Sequence, residues 1–202
     1  PLPKSYGYDP LRDIQVITPA KQGPLGTREL NRLLQGKLNP PERGKGEATL
    51  MGRTLREGDK VMQIRNNYDI IWQQLDGTAG TGIFNGDMGI IEMLDPGSKT
   101  IQVRFEEKLA TYSFENQDQL EHAYAVTVHK SQGSEFEAVV MPLERRHPKL
   151  HYRNLLYTAV TRARKLLIMT GQKETVYAMV QNNRRTLRYT NQKEMLQEMC
   201  DE

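Results

Sequence analysis

Thr127-Val128-His129-Lys130-Ser131-Gln132-Gly133-Ser134-Glu135-Phe136 runs almost directly into the apolar residues Ala138-Val139-Val140-Met141. A second apolar segment, Ala123-Tyr124-Ala125-Val126, precedes it, so a polar cluster is held between two stretches that favour burial. The run after Glu137 has the length and β-branching of a strand buried in a parallel sheet. Gly133 stands where a helical turn would end and where a positive φ suits glycine best. The pattern predicts a short turn of helix between two strands. Thr127, His129, Lys130, Ser131 and Gln132 supply five donor-capable side chains within six positions, a composition suited to phosphate oxygens. By spacing alone, a solvated surface turn fits equally well.

A second segment separates the two readings. Asn154-Leu155-Leu156-Tyr157-Thr158-Ala159-Val160-Thr161-Arg162-Ala163-Arg164-Lys165 is followed by Leu166-Leu167-Ile168-Met169 and Gly171. Leu155, Leu156, Ala159, Val160 and Ala163 recur on one helical face, which predicts a helix turning Thr158, Thr161 and Arg162 outward. Residues 166–169 predict another core strand. Together the two segments resemble motifs V and VI of the superfamily 1 helicases. The wording VTVHKSQGSEF and LLYTAVTRAR is most similar to the RecD-like branch, which includes the alpha subunit of exodeoxyribonuclease V and its stand-alone relatives. The resemblance covers residues 13–171.

Upstream, residues 13–18 predict a strand stopped by Pro19. A loop containing Gly23-Pro24 and Gly26 follows, and Thr27 is placed to cap a helix over 28–35 with Leu30, Leu33 and Leu34 as its apolar stripe. Strand, glycine loop and helix is an order that receives phosphate well. This segment resembles the family's motif IV region, in which a basic residue approaches the nucleotide; Lys21 and Arg28 are the two candidates. Residues 37–48 read as a polar loop.

From about Gly52 to Glu115 the texture changes to short strands. Residues 60–65 alternate after a Gly58-Asp59 turn, and 88–94 and 101–105 flank Asp95-Pro96-Gly97-Ser98, a hairpin signature. Residues 110–114 predict a further strand. Four or five short strands in so few residues suggest a small SH3-like barrel, and the resemblance implies the same insert. Residues 66–82, rich in glycine and carrying Tyr68 and Trp72, read as a loose loop or hairpin arm. Tyr68 and Trp72 are candidates for stacking on bases, with barrel core the alternative for Trp72.

Charge is unevenly spread about a net +3: residues 141–190 hold eleven Lys or Arg against Glu144 and Glu174, the footprint of a polyanion partner. A single cysteine, Cys200, excludes an internal disulfide and fits a reducing cytoplasm. No run approaches the length of a membrane helix. His147 and His151 stand four apart, but Pro148 intervenes and no carboxylate pair is near, so solvated surface is expected and no metal site is assigned. Residues 174–180 and 191–199 read as helices, with Arg184, Arg185 and Arg188 a basic patch between them.

No glycine-rich loop ending in Lys-Ser or Lys-Thr is present, and no apolar strand ends in Asp-Glu. The chain therefore reads as a piece of something longer that lacks the phosphate-holding half. The resemblance explains the gap, because the family's ATP site lies between two RecA-like motor domains. The resemblance implies an α/β fold: a second motor domain with a mainly parallel sheet (residues 1–52 and 116–202) interrupted by an SH3-like β-barrel (residues 53–115). It implies an ATP-dependent DNA helicase moving 5′ to 3′ on single-stranded DNA. ATP and Mg would be the cofactors, with the Mg ligands in an N-terminal motor domain of the same parent chain, and other exonuclease V subunits are further partners. Thr127, His129 and Lys130 would meet the DNA backbone, Gly133 and Glu135 the nucleotide, and Arg162 would be the arginine finger. The alternative from another class is a non-enzymatic adaptor built on the barrel. Ser131 beside His129 lacks the Gly-x-Ser-x-Gly frame of a hydrolase nucleophile.

Overall fold

The computed structural model of the protein describes residues 5–145 and 148–183. The predicted helix over 191–199, the Arg184, Arg185 and Arg188 patch, His147 and Cys200 lie outside the described residues.

β1 (Ile14–Thr18) opens the chain's parallel sheet and ends before Pro19. α1 (Thr27–Leu38) follows, three residues longer than its predicted end. Gly26, not Thr27, takes the cap position, and no side chain caps the helix. A Cβ on Gly26 would lie 2.5 Å from the Gln22 backbone, so the loop closes on the helix only through glycine. The buried face of α1 is also not the leucine stripe. Asn31 and Gln35 are buried, with Asn39 one turn later, while Leu33 is 47% exposed. The amides win that face because they meet buried main-chain groups and a buried carboxylate that would be costly to leave unpaired.

β2 (Glu47–Leu50) and β3 (Arg53–Arg56) form a separate two-stranded hairpin. Then come β4 (Lys60–Gln63), β5 (Asn67–Gln73), β6 (Ala79–Ile83), β7 (Met88–Asp95), β8 (Thr100–Phe105) and β9 (Lys108–Ser113). A 3-10 turn, Phe114–Gln119, leads to β10 (Leu120–His122). These strands make one antiparallel sheet in the order β10-β4-β7-β8-β9-β5-β6. Seven strands replace the four or five expected, because residues 66–82 form the β5–β6 hairpin, the second of the two expected forms, and β10 returns to pair with β4. β8 shows the simplest pattern, with Ile101, Val103 and Phe105 buried at every second position against Ile91, Leu94 and Tyr112. Asp95 fixes the β7–β8 turn, accepting from the backbone N–H of Gly97 at 2.8 Å and from the Ser98 hydroxyl at 2.7 Å.

The chain then returns to the parallel sheet through β11 (Ala125–Thr127) and β12 (Phe136–Leu143). α2 (Arg153–Val160), β13 (Ala163–Gly171) and α3 (Lys173–Gln181) complete the described fold. The sheet order is β11-β1-β12-β13 with every pair parallel, as the apolar runs predict. Leu155, Leu156 and Ala159 of α2 and Met179 of α3 share one core with Ile17, Val139 and Met141 of the sheet. α2 stops at Val160, so Ala163 belongs to β13 and not to the helical face. β13 is an edge strand with Met169 44% exposed, which explains why it is less buried than a core strand. His151 is buried at 8% exposure, against the surface position expected for it.

Lys60 marks the junction of the two sheets. It belongs to β4, yet its Nζ lies 5.9 Å from the ring centroid of Phe136 in β12. Burial pushes its ammonium down to about 8, with Asp9 and Asp13 opposing that shift. Between that value and the ordinary 10.5, the folded chain binds fewer protons than the unfolded one, so stability rises with pH across that window. Below pH 8 the full cost of the buried charge is present. Lys60→Met is expected to raise unfolding stability at pH 7 by about 2–3 kcal/mol and to remove the rise between pH 8 and 10. Urea midpoints at both ends of the window check this.

Candidate nucleotide and nucleic-acid interface

Strand register places the polar turn. Thr18 stands opposite Thr127, so β11 ends at the carboxyl end of the parallel sheet. Phe136 stands opposite Ala163, at the amino end of β12 and β13. The chain between Thr127 and Phe136 therefore crosses from one end of the sheet to the other, passing over β1 to reach β12. A closed polar turn makes the crossing. Ser131 N–H donates to Thr127 O at 3.1 Å, and Ser134 N–H donates to Ser131 O at 3.2 Å. Gly133 has φ +87° and open space around it, which meets the expected positive φ.

At the carboxyl end, Thr127 is nearly buried and its Oγ1 accepts from the Lys130 N–H at 3.3 Å. Ser131 is fully buried and its hydroxyl donates to Val128 O at 2.8 Å, so it serves the turn and faces no substrate. Of the five donor side chains, His129 and Gln132 are exposed and Lys130 is half-exposed. Lys130 Nζ bonds Glu121 Oε2 at 2.7 Å. Burial pushes the Glu121 carboxyl up, but Lys130, and then Lys21 and Arg53, hold it below the ordinary range. Lys21 lines the same small cleft as Asn31, Glu121, Thr127 and Lys130. Arg28 is exposed in the first turn of α1, its N–H bonded to Lys21 O at 3.3 Å.

At the amino end, Arg162 lies one residue past the Thr161 cap of α2, beyond the helix and not on its polar side. Its Nε donates to Thr158 O at 3.1 Å, Nη1 to Ser134 O at 3.2 Å and Nη2 to Thr161 Oγ1 at 3.1 Å. The guanidinium thus caps the negative end of α2 and clips the end of the polar turn to it. Phe136 N–H donates to Arg162 O at 2.9 Å, which fixes the backbone as well. A guanidinium carries five N–H donors, and three are used here. The remaining two lie one on each terminal nitrogen, the fork that matches two oxygens of a phosphoryl group. The neighbouring arginine is committed differently. Arg164 pairs with Glu135 at 3.0 Å and approaches Glu137 at 3.9 Å, while Lys165 meets Glu137 at 2.7 Å. Arg164 and Glu135 are both more than half exposed, so that pair holds neither partner firmly. Among the described residues, no group of three or more His, Cys, Asp or Glu is placed to hold a metal ion, and no helix is long and apolar enough to cross a membrane.

Sequence reading missed the residue on which the junction turns. Asp59, which the sequence places in a Gly58-Asp59 turn, is fully buried. Its Oδ1 accepts from Asn39 Nδ2 at 2.6 Å and from the Tyr124 hydroxyl at 2.8 Å. Its Oδ2 accepts from Gln35 Nε2 at 2.7 Å and from the Arg56 N–H at 2.8 Å, and lies 3.2 Å from His122 Nε2. Burial pushes this carboxyl up, yet the His122 contact, with Asn39 and Tyr124 behind it, brings it below the ordinary carboxylate value. Asn31 extends the set, bonding both the N–H and the carbonyl of Ala125 at 2.7 and 3.0 Å along the open edge of β11. The available signal was the spacing of Asn31, Gln35 and Asn39 at four-residue intervals, which puts three amides on one face of α1.

Two family profiles match this chain. Residues 30–105 match the SH3 domain of ATP-dependent RecD-like DNA helicases, and residues 122–170 match the UvrD-like helicase C-terminal domain. The ATP-dependent RecD2 DNA helicase of Deinococcus radiodurans is 35% identical over 158 residues, 78% of this chain and 20% of that protein. The RecBCD enzyme subunit RecD of Buchnera aphidicola subsp. Schizaphis graminum is 26% identical over 172 residues, 84% of this chain and 26% of that protein. The chain thus spans about a fifth to a quarter of the length of these curated relatives. In fold it is similar to the crystal structure of Bacteroides Pif1 bound to single-stranded DNA, with TM-score 0.50 and 18% identity over 80% of this chain and 42% of that one. The chain is thus similar to ATP-dependent RecD-like DNA helicases over residues 30–105 and to the UvrD-like helicase C-terminal domain over residues 122–170.

Proposed function

We propose that this chain is the second motor half of an ATP-dependent DNA helicase that moves 5′ to 3′ on single-stranded DNA. The observation that carries the reading is the Arg162 clip. A guanidinium anchored at once to Thr158 O and Ser134 O, with one unused N–H on each terminal nitrogen, is held ready for a phosphoryl group. Glu135 and Gly133 lie at the end of the same turn and would face the nucleotide, with Lys21 or Arg28 as the motif IV contact. Thr127, His129 and Lys130, where the turn begins, would meet the DNA backbone. A turn that touches DNA at one end and is tied to the arginine at the other couples the two ligands by one rigid piece of chain. ATP with Mg would be the cofactor, and it supplies the energy of phosphoryl transfer. The phosphate loop and Mg ligands would come from an N-terminal motor domain of the parent protein, which works in the cytoplasm with or without further exonuclease subunits. The motor domain would comprise residues 1–52 and 116–202 and the barrel 53–115.

The purified chain alone is expected to show no ATP turnover stimulated by single-stranded DNA, whereas the full-length parent protein turns over ATP when the DNA is added. Turnover that survives purification and follows this polypeptide would overturn the split-site reading, as would a parent protein inert with ATP and DNA.

A further inference from the structure

The two outer strands of the antiparallel sheet are treated differently. β10 is covered: Arg53 Nη1 donates to Leu120 O at 2.8 Å and Asn31 Nδ2 to His122 O at 3.1 Å, so side chains occupy its outer carbonyls. β6, at the other end of the order, pairs with β5 and with no other strand among the described residues. Its sequence, Ala79-Gly80-Thr81-Gly82-Ile83, has no lysine, no proline and no charge, the usual means of blunting an exposed edge. Around this edge the hairpin also exposes large apolar side chains. Leu75 is 93% exposed, Ile71 65% and Tyr68 66%, and Tyr68 meets the 42%-exposed Phe84 edge-on at 5.7 Å between ring centroids. Side chains of this kind on a free edge give an incoming strand both a backbone template and apolar anchors.

Charge decides what that strand is. Residues 66–87 contain Asp69, Asp76 and Asp87 and no lysine or arginine. Over residues 66–121 there are ten acidic side chains against Lys99, Arg104 and Lys108. Of those three, Arg104 is paired with Glu92 and Lys108 lies 4.8 Å over the Trp72 ring. Nucleic-acid binding rests on cations that neutralise phosphates, and this arm offers its partner the opposite sign. The chain's surplus of positive charge lies elsewhere, most densely over residues 141–190, with eleven Lys or Arg against two Glu. We infer that the β5–β6 arm is a docking site for an extended, basic and apolar polypeptide segment of a partner protein, added as a strand along β6, and not a stacking platform for DNA bases.

The chain reports on this site itself, because its one tryptophan, Trp72, lies in β5 with its ring against Gly80 of β6. The probe is a short peptide of alternating lysine and valine, titrated into the purified chain and followed by Trp72 fluorescence. Saturable binding is expected that weakens with added salt, and that is absent for a glutamate–valine peptide and for a lysine–valine peptide N-methylated at alternate residues. The double variant Ile71→Ser with Leu75→Ser, which changes only exposed positions, is expected to weaken it at least ~10-fold. The proposal is overturned if the N-methylated peptide binds as well, if no lysine–valine binding is seen, or if oligo-deoxythymidine shifts Trp72 emission and Tyr68→Ala abolishes that shift.

Discussion

Arg162→Ala and Arg162→Lys, made in the full-length protein, are each expected to cut ATP turnover by at least ~10²-fold. That is about 2.7 kcal/mol of lost transition-state stabilisation. Lysine is no rescue, for a geometric reason. Arg162 holds Thr158 O, Ser134 O and Thr161 Oγ1 with three N–H groups and still has a forked pair to offer. An ammonium has three donors on one atom and cannot hold the clip and a phosphoryl group together. Loss of the clip also removes the bonds to Thr158 O and Ser134 O that tie α2 to the polar turn, so both variants are expected to lose about 1–2 kcal/mol of stability in thermal melts. Binding of single-stranded DNA, which the proposed function places at the start of the turn, should be little changed. Arg164→Ala should be far milder, because its exposed pair with Glu135 is screened by water. Near-normal turnover in Arg162→Lys together with its loss in Arg164→Ala would move the finger to Arg164.

Where apolar pattern and burial coincide, sequence and structure agree. Residues 138–141 are an unbroken apolar run and do lie in an inner parallel strand, and the alternation of 101–105 is a half-buried antiparallel one. Gly133 was legible because only a positive φ closes that turn. Illegible features were those in which a polar side chain is buried by a partner remote in sequence. The α1 face was read from Leu30, Leu33 and Leu34, but the helix turned toward the partners of Asn31 and Gln35, groups up to 94 residues away. The end of α2 falls short of the apolar pattern for a related reason: the Thr161 hydroxyl and the Arg162 guanidinium both bond Thr158 O where the helix stops, which apolar spacing cannot register. For the site, residue types were readable and their division was not. Only the strand register shows that Thr127 and Phe136 stand at opposite ends of the sheet.

Asp59→Ala is expected to cost about 3–5 kcal/mol of unfolding free energy at pH 7, a large share of the roughly 5–15 kcal/mol that holds a domain folded. The carboxylate is fully buried and gathers donors from α1 (Gln35 and Asn39), from the Arg56 backbone, and from Tyr124, with His122 alongside. Removing it leaves those buried donors without their acceptor. Asp59→Asn keeps the shape but turns one acceptor into a donor facing other donors, so it is expected to cost about 2 kcal/mol or more. The pH dependence has a definite sign. The folded carboxyl titrates below its ordinary 3.8, so its contribution is complete above that pH and is lost as pH falls below it toward the folded value. The difference in urea-unfolding free energy between wild type and Asp59→Ala should therefore be constant near neutrality and shrink in acid. A variant as stable as wild type at pH 7, or a gap that widens as the pH falls below 3.8, would show that Asp59 does not hold α1 and the two sheets together.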